Sequence, residues 1–202
     1  GLATGVTIVM SRKYGAGDSD GMNRASHTGV MLGIVSGIGV MIIGFIICRP
    51  MLEFLNTPHE IIDLSLLYVR IIFVGVPAQM VYNFGSAILR SVGDTKRPLY
   101  IVLCTGLVNV LLNLLLVIVF HMGVAGVAIA TVVSHYLSAL TVMYILTKSD
   151  AGYRISLKSL RFHKAELKDM ISIGLPGGLQ SSVFALGNMA IGSAVNSFGT
   201  AV

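Results

Sequence analysis

Four stretches of the chain, residues 28–48, 64–89, 99–120 and 124–147, stay apolar for the ~20 residues a helix needs to cross a ~30 Å hydrocarbon core. The segment 170–202 has room for one more crossing, whereas the apolar run at 1–10 is about half the necessary length. In the first stretch Gly29, Gly33 and Gly37 recur every fourth residue, which lines one helix face with bare backbone and predicts close packing against a neighbour. Pro77 falls near the middle of the second, where a missing backbone hydrogen bond predicts a kink. The third and fourth are joined only by His121-Met122-Gly123, a turn short enough to require an antiparallel hairpin. Near the start of the last, Gly174-Leu175-Pro176-Gly177-Gly178 predicts a break in helical regularity.

The polar gaps between these stretches alternate in charge. Arg12, Lys13 and Arg24 lie in the first gap, Arg90, Lys96 and Arg97 in the third, and Lys148, Arg154, Lys158, Arg161, Lys164 and Lys168 in the fifth. The second gap holds only Arg49 and the fourth has no Lys or Arg. Because cytoplasmic loops collect Lys and Arg, the alternation predicts a multi-pass protein of the cell (inner) membrane with gaps one, three and five inside. In the fifth gap Leu157, Leu160, Leu167 and Met170 recur near helical spacing with the lysines and Arg161 largely between them, which predicts a short helix on the inner headgroups.

Composition supports that class. The chain has 202 residues, 54% hydrophobic and only 11% charged, against about 25% charged in soluble domains. Its net charge of +5 is scattered through loops without interleaved aromatics, which suits anionic lipid headgroups and argues against nucleic acid as a partner. Cys48 and Cys104 sit in separate apolar stretches without metal-ligand spacing. No hydrolase, zinc-protease or phosphate-loop motif is present, so neither an enzyme nor a metal or organic cofactor is expected. The ends at Gly1 and Val202 suggest the interior of a longer membrane protein.

Polar side chains at membrane depth are the functional candidates, since hydrocarbon tolerates them only when they pair or line a wet cavity. Counting outward from Met122, Asn113 and Thr131 are each nine residues away, and Asn109 and His135 each thirteen. At ~1.5 Å per residue each pair lies at one depth, in the inner half of the membrane, and each is four apart on its own helix. If the two patches face each other they form a compact polar site; otherwise they hold the hairpin together by interhelical hydrogen bonds. The small residues Gly126, Ala130, Ser134 and Ser138 on the other face of the fourth stretch offer a packing ridge. Gln79 with Asn83, and Gln180 with Asn188, are further single-faced polar pairs, candidates for lining a substrate cavity. Arg70 is placed to snorkel or to pair with Asp63.

Several segments together resemble the multidrug and toxic compound extrusion (MATE) family. They are Gly1–Gly5 leading to Ser11-Arg12-Lys13-Tyr14-Gly15-Ala16-Gly17-Asp18, the run from Ala87 through Arg90-Ser91-Val92-Gly93-Asp94-Thr95-Lys96-Arg97-Pro98, the Asn109-x-x-x-Asn113 pair, Gly123 through Thr131, and Gly174-Leu175-Pro176. The resemblance implies an all-α polytopic bundle, part of a twelve-helix fold in two six-helix lobes. Residues 1–147 would be most of the first lobe, 148–169 a cytoplasmic linker, and 170–202 the start of the second. It implies export of amphipathic or cationic small organic compounds by alternating access against inward H⁺ or Na⁺, by a protein that is monomeric when full length. In one branch an Asn-x-x-x-Asp pair and a Thr form a polar cluster, which maps onto Asn109, Asn113 and Thr131. Here Asn113 stands in place of the Asp, and an amide takes up no proton near neutral pH. Another branch has a Glu about two turns after its Gly-Leu-Pro, where this chain has Phe184. A lipid-linked oligosaccharide flippase of the same superfamily and a non-transporting membrane scaffold are the competing readings.

Overall fold

The computed structural model describes residues 1–54, 59–149, 152–156 and 160–197, the side chains of residues 54, 59, 60, 186, 189, 190 and 192–197 excepted. Six helices follow one another: α1 (Leu2–Gly15), α2 (Ser19–Phe54), α3 (His59–Ser91), α4 (Lys96–Leu114), α5 (Gly123–Lys148) and α6 (Lys164–Ser197). A π-helical turn, Leu115–Val119, extends α4 at its outer end. Among the described residues four helices are long and apolar enough to cross a membrane, within 19–53, 61–91, 96–119 and 123–148. They coincide with the four stretches expected from hydropathy, the third ending one residue short. The fifth expected crossing corresponds to α6, which has the length but is rich in Gly, Ser, Asn and Gln, and its last residues lie outside the described ones.

The turns that lead into α2 and α4 use the same device. Gly17 and Gly93 adopt φ of +66° and +86°, values a side chain disfavours, and each is followed by an aspartate. Asp18 Oδ1 accepts the Gly21 amide at 2.8 Å, and Asp94 Oδ1 accepts the Arg97 amide at 3.1 Å. Each thus satisfies a backbone donor that a helix start leaves unpaired. The Gly21 amide, then the Lys13 ammonium 3.1 Å away, hold the Asp18 carboxyl below its usual range. At the outer hairpin His121, with φ +52°, and Gly123, with φ +55°, make the reversal.

Tight packing is concentrated at the basic end. The buried cluster takes Val6, Val9 and Met10 from α1, Met22, Ala25, Val30 and Leu32 from the first half of α2, Phe84 through Leu89 from the last turns of α3, and Val142 and Leu146 from the end of α5. Tyr153, Ile155 and Met170 close it from below. Toward the outer end the helices expose their apolar side chains, among them Ile46, Leu107 and Ile118. These surfaces suit lipid tails.

The glycines of α2 pack as their spacing predicts. A Cβ on Gly33 would lie 3.1 Å from Phe84, and one on Gly37 only 2.6 Å from the Pro77 Cα. Two expectations fail. Pro77 and Pro176 do not interrupt their helices: α3 and α6 run on through them, and the kink expected at Pro77 concerns the axis direction, on which helical continuity has no bearing. The fifth gap has no separate surface helix among its described residues. Residues 160–163 have no regular structure, Leu157 lies outside the described residues, Met170 is buried in the core, and Leu160 and Leu167 pack against it, because this contact covers more of their apolar surface than headgroups would. Of the two placements open to Arg70, the ion pair with Asp63 is absent among the described residues, and the side chain is exposed, as snorkelling requires.

Candidate functional site

Three helices each turn one face toward a common cavity of about 330 Å³. From α3 come Gln79, Tyr82 and Asn83; from α4, Val102, Thr105, Gly106 and Asn109; from α5, Thr131, Ser134, His135 and Ser138. The α4 and α5 sets each follow the i, i+3, i+4, i+7 pattern of a single helical face, and α3 contributes the first three positions of the same pattern. The lining is therefore built by periodicity. Among the described residues no Lys, Arg, Asp or Glu lines the cavity, and His135 brings an imidazole to it.

Close backbone approach brings the faces together. Gly75 lets α5 lie against α3: a Cβ there would sit 3.0 Å from Val132 and 3.5 Å from His135 Cδ2. Gly85 does the same one layer inward, opposite Val142. Between α4 and α5 the Ser138 hydroxyl donates to Thr105 Oγ1 at 2.9 Å, while the Thr105 hydroxyl donates to the Ile101 carbonyl at 2.8 Å. Thr105 is seventeen residues before Met122 and Ser138 sixteen after it, so the bond confirms the hairpin register to within one residue. The Tyr82 hydroxyl donates to the Pro98 carbonyl at 3.0 Å and fastens α3 to the start of α4.

Of the sequence candidates, Asn109, Thr131, His135, Gln79 and Asn83 meet in this cavity. Asn113 does not line it. Its amide nitrogen donates to Asn109 Oδ1 at 3.0 Å, and its own buried Oδ1 has no partner. It therefore orients the Asn109 amide from behind, one helical turn outward. Gln180 and Asn188 line a separate groove on the exposed face of α6, with Phe184 between them. Pro77 packs under Gly37, and Pro176 is exposed on α6.

The alternative that the α4 and α5 patches bond each other across the hairpin is not what forms. Among the described residues no hydrogen bond joins Asn109 or Asn113 to Thr131 or His135, and the Thr131 hydroxyl donates to the Val127 carbonyl of its own helix at 2.9 Å. The ridge assigned to packing is a correction: Ser134 and Ser138, buried in the α4–α5 contact, also form part of the cavity wall. Sequence reasoning missed Tyr82 and Thr105. Both were within reach of the same rule, since Thr105 is four before Asn109 and Tyr82 three after Gln79.

A bundle of membrane-crossing helices with an open cavity lined by hydroxyls, amides and apolar side chains suits a solute transporter. The MatE family model matches residues 1–115, and the chain belongs to that transporter family. It is 34% identical over 202 residues to the "Probable multidrug resistance protein YpnP" of Bacillus subtilis (strain 168), covering 98% of this chain and 44% of that protein. Its fold superimposes on a solved "MATE in the bent conformation" with a TM-score of 0.90 at 24% identity, over 99% of this chain and 45% of the other. It also superimposes on an "Outward-facing conformation of a multidrug resistance MATE family transporter of the MOP superfamily" with a TM-score of 0.82 at 26% identity, over 94% and 44%. The chain thus spans about half the length of the relatives it matches.

Proposed function

We propose that the full-length protein exports amphipathic or cationic small organic compounds by alternating access, in exchange for H⁺ or Na⁺. Residues 1–147 form most of one lobe, 148–169 the linker, and 170–202 the start of the second lobe. The observation that carries the reading is the cavity in which α3, α4 and α5 present Gln79, Asn83, Asn109, Thr131 and His135 together. Hydroxyls and amides can replace part of the hydration of an ion or a drug's polar group, while the surrounding apolar walls hold the rest. An uncharged lining also does not repel an organic cation. It offers no Arg or Lys for a pyrophosphate, so the flippase reading finds no support there.

Coupling to protons would run through His135, an imidazole being the side chain whose ordinary titration range brackets neutral pH. Coupling to Na⁺ would run through the neutral oxygens of Asn109 and Thr131. Proteoliposomes holding the full-length protein distinguish the alternatives. Ethidium efflux driven by a proton gradient is expected in the wild type and in Asn113→Ala at reduced rate, and to be lost in the Asn109→Ala/Thr131→Ala double variant at unchanged protein level. Efflux that survives the double variant would overturn the proposed site, and absence of wild-type efflux under both H⁺ and Na⁺ gradients would favour a scaffold.

A further inference from the structure

The basic end of the bundle carries a second cluster of titratable groups, about which the transport cavity says nothing. His27, in the third turn of α2, is 4% exposed, and both its ring nitrogens are engaged. Its Nδ1 lies 2.8 Å from the Asn23 carbonyl, an acceptor only, so Nδ1 bears the proton. Its Nε2 then accepts the Ser156 backbone N–H at 3.1 Å. One residue further along α2, Thr28 makes a parallel arrangement with His163. The Thr28 hydroxyl donates to the Arg24 carbonyl at 2.8 Å and accepts the His163 amide at 3.1 Å, which leaves His163 Nδ1, 3.3 Å from the same oxygen, as a donor. His163 Nε2 accepts from Arg161 Nε at 3.2 Å. Both imidazoles are thereby fixed as neutral Nδ1–H tautomers whose second nitrogen faces an N–H group.

Two other bonds tie the same surfaces. The Asn23 side chain donates to the Arg154 carbonyl at 2.8 Å, and Arg24 Nε pairs with Glu166 Oε1 at 2.9 Å, the carboxylate side chain being only 7% exposed. Residues 154–156 and 163–166 are therefore strapped to the start of α2 by side chains within Asn23–Thr28.

We infer that His27 makes this strap a pH-sensitive latch, closed while its ring is neutral and released when it is protonated. A proton on Nε2 would set N–H against the Ser156 N–H in a buried place, turning an attractive contact into a repulsive one. His163 does not act in this way: its backbone amide and Nδ1 keep their bonds to Thr28 in either protonation state, and its Nε2 partner Arg161 is exposed. The charged groups on the elements around the contact are Arg24, one turn before His27 and paired with Glu166 at the start of α6, and the exposed Arg154, two residues before Ser156. Release frees residues 152–156 from α2 on the face that the basic gaps mark as cytoplasmic, while the Arg24–Glu166 pair continues to hold the start of α6.

Hydrogen exchange on the full-length protein in nanodiscs tests the latch. Between about pH 8 and about pH 5, the range in which imidazoles titrate, the protection factor of the Ser156 amide is expected to fall at least about tenfold. His27→Gln, whose side-chain oxygen can accept the same N–H without titrating, should keep Ser156 protected at both pH values. Unchanged wild-type protection, or a fall of equal size in His27→Gln, would overturn the latch. Should His27→Gln fail to fold, ring nitrogen NMR of the wild type across the same pH range decides: an Nδ1–H ring at high pH that gains its Nε2 proton together with the loss of Ser156 protection supports the latch, and an Nε2–H ring at high pH, or a protonation that leaves Ser156 protected, contradicts it.

Discussion

Single residues in this bundle are constrained chiefly by backbone proximity, and Gly37 is the sharpest instance. Its nearest neighbour is the Pro77 Cα, 2.6 Å from where a Cβ would stand, and a main-chain atom cannot swing aside. Gly37→Leu is therefore expected to force α2 and α3 apart and to cost about 1–3 kcal/mol, read as a lowered unfolding midpoint in detergent. Gly39, two residues on, has nothing within 4 Å, and Gly39→Ala should leave the midpoint unchanged. His121 presents the opposite case. It holds a left-handed φ of +52° without a glycine's freedom, a conformation that costs an ordinary residue about 1 kcal/mol. His121→Gly should raise stability slightly, or at worst leave it unchanged, in the same assay. That these positions mattered could be read from spacing for Gly37, one of three glycines in step. Nothing local marked His121, because its φ is set by how the π-helical turn at 115–119 delivers the chain to the hairpin.

At the level of elements, the start of α6 is held to α2 by Arg24 and Glu166, and that pair has a definite pH signature. Burial alone would raise the Glu166 carboxyl, but the hydrogen bond from Arg24, aided by its charge, outweighs burial and leaves the folded-state value below the ordinary 4.5. A carboxylate depressed in this way stabilises the fold above the unfolded-state value, and the contribution disappears as pH falls through the lower folded-state value. Acid titration of stability should accordingly show a loss below about pH 4.5 that Glu166→Gln removes, the variant being less stable at neutral pH and equal to wild type in strong acid. The helices themselves were legible in the sequence because each expected stretch is long and apolar enough to leave no competing structure. So was the register of α4 against α5, since a three-residue turn leaves one way to fold back, as the Ser138–Thr105 bond shows. The strap was not legible. Leu160 and Leu167 have helical spacing in sequence, yet the ends of three other helices offered them a better burial than a separate surface helix, and such a competition is decided by tertiary contacts.

On the scale of the whole molecule, the contact that matters most for motion is between α1 and α6, elements at opposite ends of the chain. They meet backbone to backbone. A Cβ on Gly5 would run into the Met170 carbonyl and lie 3.0 Å from the Gly174 amide, while one on Gly174 would lie 2.9 Å from the Leu2 Cα. Side chains interlock at the basic end, where Val6, Val9 and Met10 share a buried cluster with Met170, so the glycine line is the part of the seam at which backbones alone meet. The same seam joins the proposed first lobe to the start of the second, where alternating access requires movement. A bulky residue would fill the seam and fix one arrangement. Gly5→Leu in the full-length protein is therefore expected to cut ethidium efflux far more than Gly15→Leu, since Gly15 has open space around it. Binding of ethidium should survive in Gly5→Leu, because the cavity of α3 to α5 has no residue from α1 or α6. Loss of binding together with efflux would show that the seam shapes the cavity, and retention of full efflux would show that the α1–α6 contact stays still during transport.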